Sequence, residues 1–134
     1  MKRSIIAIAA VISLSGLALA EAPKKAESQT ELRPSQKIMR ARDAWMKSMN
    51  DNFNSGNLAA VAKDAKSLGD QTKTVGEKQT DPRAKEHTLA ISKLTKDVIA
   101  SSGKGDAAAT LVSLREIKNH CGTCHILFRD KDKK

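Results

Sequence analysis

The residues with the clearest chemical potential form one segment near the end of the 134-residue chain, Cys121-Gly122-Thr123-Cys124-His125. Cys121 and Cys124 are the only two cysteines in the sequence. Residues three and four apart lie on one side of a helix, so both thiols could form thioether bonds with one porphyrin while His125 reaches its iron. The Cys-x-x-Cys-His pattern is a known signature of c-type haem attachment. It predicts one covalently bound haem c, held by Cys121 and Cys124, with His125 as the proximal axial ligand.

Three other chemistries use the same side chains. A disulfide between Cys121 and Cys124 suits an oxidising compartment, but it closes a very small loop and stabilises little. A thiol oxidoreductase places such a pair at the start of a helix, where the dipole lowers the thiol pKa, whereas this pair lies near a helix end. A structural zinc site lacks a second group of ligands to complete a tetrahedron. Haem attachment is therefore the favoured interpretation.

The group on the other face of the iron would decide the function, and the residue pattern leaves it open. Three methionines share one stripe of the first predicted helix, although a methionine stripe is usually plain core. His87 is a lone histidine on the apolar face of the third predicted helix, and such a residue is more often part of the core than a ligand. His120 lies on the same predicted helix as the two cysteines, but on a side from which it cannot reach the far face of the iron. The candidates are Met39, Met46, Met49, His87, His120 and no protein ligand.

Four amphipathic helices are expected to position these residues. Apolar residues recur every three or four positions, and no segment shows the alternation of a strand. Gly69 is expected to weaken the second helix and Gly76 to end it. Short links favour antiparallel neighbours, so the predicted fold is an all-α, antiparallel four-helix bundle with covalently attached haem c. The expected capping residues are Ser35, Asn57, Asp81 and Asp106.

The first 20 residues are not expected to belong to this fold. A basic start precedes an apolar run that ends in Ala-Leu-Ala, which is typical of a secretory signal peptide cut after Ala20. The chain should then consist of a cleaved signal peptide (1–20), a flexible N-terminal arm (21–34), the bundle domain (35–130) and a charged tail (131–134). We expect export to a bacterial periplasm and no membrane span in the mature chain.

The composition limits both the partners and the packing. A formal net charge of +9 permits binding to an acidic protein surface, whereas the lack of aromatic residues among the basic ones argues against nucleic acid. Only 2% of the residues are aromatic, although 40% are hydrophobic. A haem would supply the planar aromatic volume that this chain lacks, so we expect the haem-free bundle to be poorly packed.

The chain resembles the class II c-type cytochromes, the cytochrome c-prime family, in its layout and in two segments. The attachment segment is followed by Phe128-Arg129, and the first helix contains Arg42-Asp43-Ala44-Trp45-Met46. The resemblance implies the low-spin, six-coordinate branch, with Met46 as the distal axial ligand and Arg42 beside a haem propionate. An Arg on an apolar stripe independently needs an anionic partner. Met49 and Phe128, which extend the two apolar stripes, are predicted haem contacts.

These residues lead to a principal functional hypothesis and to alternatives. The principal one is a periplasmic mono-haem c-type cytochrome that carries one electron to and from redox partner proteins, with both axial positions filled. The alternative is a five-coordinate haem protein that binds NO or CO in an apolar distal pocket. A third class is an exported helical binding module without haem. No acid–base pair or nucleophile constellation points to an enzyme, and the resemblance also allows a homodimer.

Overall fold

A computed structural model describes residues 32–129, and these residues form four α-helices with no strand among them. The helices are α1 (Pro34–Asn54), α2 (Leu58–Glu77), α3 (Pro82–Gly103) and α4 (Ala107–Phe128). The prediction of an all-α, four-helix arrangement is thereby confirmed. The expected signal peptide, almost all of the expected arm and the charged tail lie outside the described residues. Within the described part, none of the helices combines the length and the apolar character that a membrane crossing requires.

Side-chain caps and glycines define most of the helix ends. The side chains of Asn57, Asp81 and Asp106 accept hydrogen bonds from backbone N–H groups in the first turns of α2, α3 and α4, as the sequence predicted. Gly56 and Gly105 have φ values of 76° and 72°, a left-handed conformation that glycine adopts without a steric penalty. These two residues reverse the chain between α1 and α2 and between α3 and α4.

The first helix starts one residue earlier than Ser35, its expected cap. Pro34 is the first helical residue, a position where proline fits because its missing N–H would have no partner inside the helix. The backbone N–H of Arg33 donates to the side-chain oxygen of Gln36 at 2.9 Å. This bond satisfies one of the free donors at the helix start, so no serine cap is required.

Hydrogen bonds between α1 and α2 show that the two helices run antiparallel. The Nε of Arg42, early in α1, donates to Oε1 of Gln71, late in α2, at 2.9 Å. The hydroxyl of Ser48, nearer the turn, donates to a carboxylate oxygen of Asp64 at 2.6 Å. As the position in α1 advances, the partner's position in α2 decreases, which is the order of an antiparallel pair.

The same order holds between α3 and α4. Ser101 and Thr110, on either side of the turn, have hydroxyl oxygens 2.8 Å apart. Farther from the turn, the Nδ1 atoms of His87 and His120 are 3.1 Å apart. Together with the short links, these contacts are consistent with an up-down-up-down bundle.

Two glycines allow α2 and α3 to pack closely. A Cβ atom at Gly69 would clash with the Oγ1 of Thr95, and one at Gly76 would lie 2.7 Å from a methyl group of Leu89. Both glycines are buried and helical, and α2 continues to Glu77. The predictions that Gly69 weakens α2 and that Gly76 ends it were wrong. Close contact with α3 compensates for the low helix propensity of both glycines.

The apolar core lies among all four helices. Trp45 and Phe53 of α1 are partly buried and pack against it. Hydroxyl side chains fill much of the remaining interior, and Ser92 of α3 donates across to the carbonyl of Gly69 at 3.1 Å. The fully or almost fully buried apolar residues of this cluster are Met49, Val61, Ala65, Leu68, Ile91, Val98, Leu114 and Ile117.

Replacing Gly69 with Ala should lower the melting temperature. Alanine is favoured in an isolated helix by about 1 kcal/mol, but overpacking a close helix contact costs about 1–3 kcal/mol, and Thr95 is 1% exposed with little room to move. Thermal unfolding followed by circular dichroism checks the result. Gly103→Ala is the matched control, because a Cβ there meets no atom within 4 Å. Equal melting temperatures for the two variants would contradict close α2–α3 packing at Gly69.

Candidate functional site

A cavity of about 460 Å³ separates α1 from α4, and α3 contributes to its wall. Consecutive helices pack closely along the chain, whereas the first and last helices face each other across this space. Its volume lies within the range of small-molecule and cofactor sites. Residues that line it include Met39, Arg42 and Met46 from α1, Thr88 and Ile91 from α3, and Lys118, Cys121, Cys124 and His125 from α4.

Five of the seven predicted site residues line this cavity. Arg42 and Met46 lie on one side of it, and Cys121, Cys124 and His125 lie on the other. The fold thus brings together two sequence segments from opposite ends of the described chain. Met46, both cysteines and His125 are half-buried, so they are covered by the fold without being sealed from solvent.

The other two predicted contacts, Met49 and Phe128, do not line the cavity. Met49 is 0% exposed and belongs to the apolar core between the helices. The guanidinium carbon of Arg83 lies 5.7 Å from the centre of the Phe128 ring, a distance suited to a cation–π contact. Their apolar stripes were identified from helical periodicity, which does not distinguish a side chain facing the cavity from one facing the core.

The attachment segment is helical throughout, as its spacing predicted. The cavity-lining side chains of Cys121, Cys124 and His125 recur at three- and four-residue intervals. Gly122 and Thr123, between the cysteines, are exposed, and the Thr123 hydroxyl donates to the Asn119 carbonyl at 3.0 Å. The two thiols therefore share one face of α4, and both are free rather than joined in a disulfide.

The environment of the two thiols keeps them protonated near neutral pH. Burial raises the pKa of the Cys121 thiol, although the Arg42 guanidinium opposes this change. Burial also raises the pKa of Cys124, again opposed by Arg42 and reinforced by the negative charge of Asp81. Catalytic thiols of oxidoreductases have a lowered pKa, so this arrangement does not activate the cysteines for disulfide exchange.

Arg42 places a buried positive charge at the cavity. The residue is only 7% exposed, and burial lowers the pKa of its guanidinium. Its Nε donates to Gln71, but its Nη2 atom is buried and has no hydrogen-bond partner among the described residues. An unpartnered buried cation is costly, so this side chain is suited to hold an anionic group in the cavity. A haem propionate fits that requirement.

The two other histidines pair with each other and do not line the cavity. His87 and His120 lie at the seam of α3 and α4, both half-buried, with ring centroids 5.3 Å apart. His120, which the sequence placed on the wrong side of its helix to reach the iron, thus contacts α3. In residues 32–129, no group of three or more His, Cys, Asp and Glu side chains is arranged to hold a metal ion.

Several residues of the site were not identified from the sequence. Gln71 is the most important, because it fixes the orientation of Arg42. One signal could have identified Gln71. In two antiparallel helices joined by a short turn, residues that are equally distant from the turn lie opposite each other. The α1–α2 turn lies midway between positions 42 and 71. Thr88 of α3 and Lys118 of α4 also line the cavity, but nothing in their spacing separates them from other helix residues.

Comparisons of this chain with protein-family models, with curated proteins and with solved structures found no match.

Replacing Gln71 with Leu should destabilise the haem-free protein by about 1–3 kcal/mol, because a buried charged donor loses its acceptor. The cost should become much smaller when Arg42 is replaced by Met, since the donor is then absent. A double-mutant cycle on urea unfolding of Gln71→Leu, Arg42→Met and the double variant measures this coupling. Additive effects of the two substitutions would contradict a functional Arg42–Gln71 bond.

Proposed function

We propose that this protein is an exported, mono-haem c-type cytochrome of the class II type that acts as a one-electron carrier. One observation carries the proposal: the Cys-x-x-Cys-His face of α4 and the Arg42–Met46 face of α1 line opposite sides of a single cavity. The sequence alone linked these segments only through a family resemblance. Their convergence on one cavity is an independent argument that they act together.

Each residue of this cavity has a defined role in the proposal. The Cys121 and Cys124 thiols each add across a vinyl group, with sulphur bonding to one carbon and hydrogen to the other, so no oxidant is consumed. His125 is the proximal axial ligand, and Met46 is the distal one. Arg42 holds a propionate with its Nη2 group, which has no hydrogen-bond partner among residues 32–129. Haem c, when bound, supplies an iron that gains and loses one electron.

Occupation of both axial positions by protein side chains suits electron transfer better than ligand binding. With His125 and Met46 in place, no coordination position is left for a substrate, and thioether ligation favours the reduced iron. Arg42 is only 7% exposed, so water screens its charge poorly. The half-buried attachment face leaves a route for an electron to reach a partner.

The proposed partner is an acidic redox protein in the periplasm. Without Lys2 and Arg3 of the expected signal peptide, the formal net charge falls from +9 to +7, and this charge would attract an acidic docking surface and speed association at low salt. Nucleic acid is not part of the proposal. A homodimer is compatible with it but does not contribute to the cavity, which is built from α1, α3 and α4 of one chain.

Replacing both cysteines with alanine should abolish covalent haem attachment and lower stability. The wild-type chain and the Cys121→Ala/Cys124→Ala variant are to be expressed in a bacterium that attaches haem to exported proteins. We expect only the wild type to keep its colour after denaturation and to gain the mass of one haem. The haem-free variant should melt well below the wild type, because the cavity loses its occupant. A wild-type chain that is folded and colourless would overturn the proposal.

Replacing Met46 with Ala tests the sixth ligand. The wild type should show a low-spin spectrum with a thioether-to-iron charge-transfer band, and Met46→Ala should lose that band while keeping its covalent haem. Met39→Ala is the control, because this methionine lines the same cavity but is 39% exposed. A high-spin wild-type spectrum with rapid binding of CO or NO would instead favour the gas-binding alternative.

A further inference from the structure

The seam between α3 and α4 holds a histidine pair that the proposed electron carrier does not use. The Nδ1 atoms of His87 and His120 are 3.1 Å apart, and the two ring planes are inclined at 57°. Neither ring lines the cavity between α1 and α4. Both rings are half-buried, so they are held by the fold and remain accessible to a small hydrated ion.

The separation of the two nitrogen atoms matches that of two ligands on one metal ion. With metal–nitrogen bonds of about 2.05 Å, two nitrogens lie about 3.3 Å apart at a tetrahedral angle and about 2.9 Å apart at a right angle. The observed 3.1 Å lies between these values. The rings come from α3 and α4, which pack against each other, so the fold already holds the two nitrogen atoms close together.

A hydrogen bond between the two Nδ1 atoms also accounts for this distance. A metal ion at the pair would replace the proton of that hydrogen bond. In that bond, one Nδ1 carries a proton and the other accepts it. A metal ion would need the lone pairs of both Nδ1 atoms. The proton would therefore move to Nε2 of the same ring, and both rings would stay neutral.

Imidazole nitrogen is a ligand for borderline metals such as zinc and copper, and it is a poor one for magnesium. No third His, Cys, Asp or Glu among the described residues completes a three-ligand group. Water would fill the remaining coordination positions. Such a site binds more weakly than a structural zinc centre and is open to exchange.

We propose that His87 and His120 form a binding site for one divalent zinc or copper ion at the α3–α4 seam. The site uses Nδ1 of each ring and two or more water molecules. It cross-links α3 and α4. The site is separate from the cavity between α1 and α4, so it does not depend on the proposed haem.

Zinc binding to the full secreted chain, purified without a histidine tag, tests this site. We expect one Zn²⁺ per chain in calorimetry, with affinity about 100-fold lower in His87→Gln and in His120→Gln, because the second ligand of a chelate acts intramolecularly. The double variant should bind more weakly than either single variant, because no imidazole of the pair is left. Cu²⁺ should bind more tightly than Zn²⁺, and Mg²⁺ should not bind.

Glu86→Gln and Glu116→Gln are matched controls, since each removes a potential ligand from the same two helices without altering either histidine. The Cys121→Ser/Cys124→Ser background removes binding by the thiols. Unchanged zinc affinity in both histidine variants would overturn the proposal, as would an equal loss in either glutamate variant or complete loss in the cysteine variant.

A second measurement requires no variant of the histidines. X-ray absorption at the zinc edge of the wild type should show two imidazole ligands, and a spectrum with one imidazole or none would refute the pair as the site. Circular dichroism of each variant checks that the helices are retained.

Discussion

A buried guanidinium that lacks part of its hydrogen bonding sets the conditions for the rest of the site. Arg42 cannot leave the interior without breaking its bond to Gln71, and it cannot remain there at low cost without an anion beside it. The thiols that border the cavity next to it have a raised pKa, so they do not provide a negative charge at neutral pH. Asp43 and Asp51 also line the cavity, but the Nη2 of Arg42 has no hydrogen-bond partner among residues 32–129. The α1–α2 pair therefore presents a buried positive charge that a bound anionic group could compensate.

The low aromatic content fits the packing of the α2–α3 seam. Gly69 and Gly76 let the two backbones approach so closely that even a Cβ atom at either position would collide with a side chain of α3. Buried hydroxyls there bond to carbonyls, as Thr72 does to Leu68 at 2.8 Å, and need little volume. The cavity between α1 and α4 is a second region without aromatic packing, because no Trp or Phe of the described residues lines it.

Much of this arrangement could be predicted from local chemistry. Caps at Asn57, Asp81 and Asp106 are decided by residues within one turn, so sequence patterns identify them. The helical face of Cys121, Cys124 and His125 follows from spacing alone. The outcomes at Gly69, Gly76 and Met49 did not follow from the sequence. They depend on which helix packs against a given side of α1 or α2. Helical periodicity identifies the apolar side of a helix, but it does not identify the element that packs against that side. The partner Gln71 could have been found by counting equal distances from the α1–α2 turn.

The order of the helices has a consequence for how the molecule assembles. All the closely packed pairs are neighbours in sequence, so the chain can fold up through short-range contacts that close small loops and form quickly. The two walls of the cavity belong to the first and last helices, and bringing them together requires the rest of the bundle to be in place. We therefore expect the cavity to be completed late in folding, because its two main walls are the helices most distant in sequence. A group bound to both α1 and α4 would stabilise the contact that closes the longest loop of the fold.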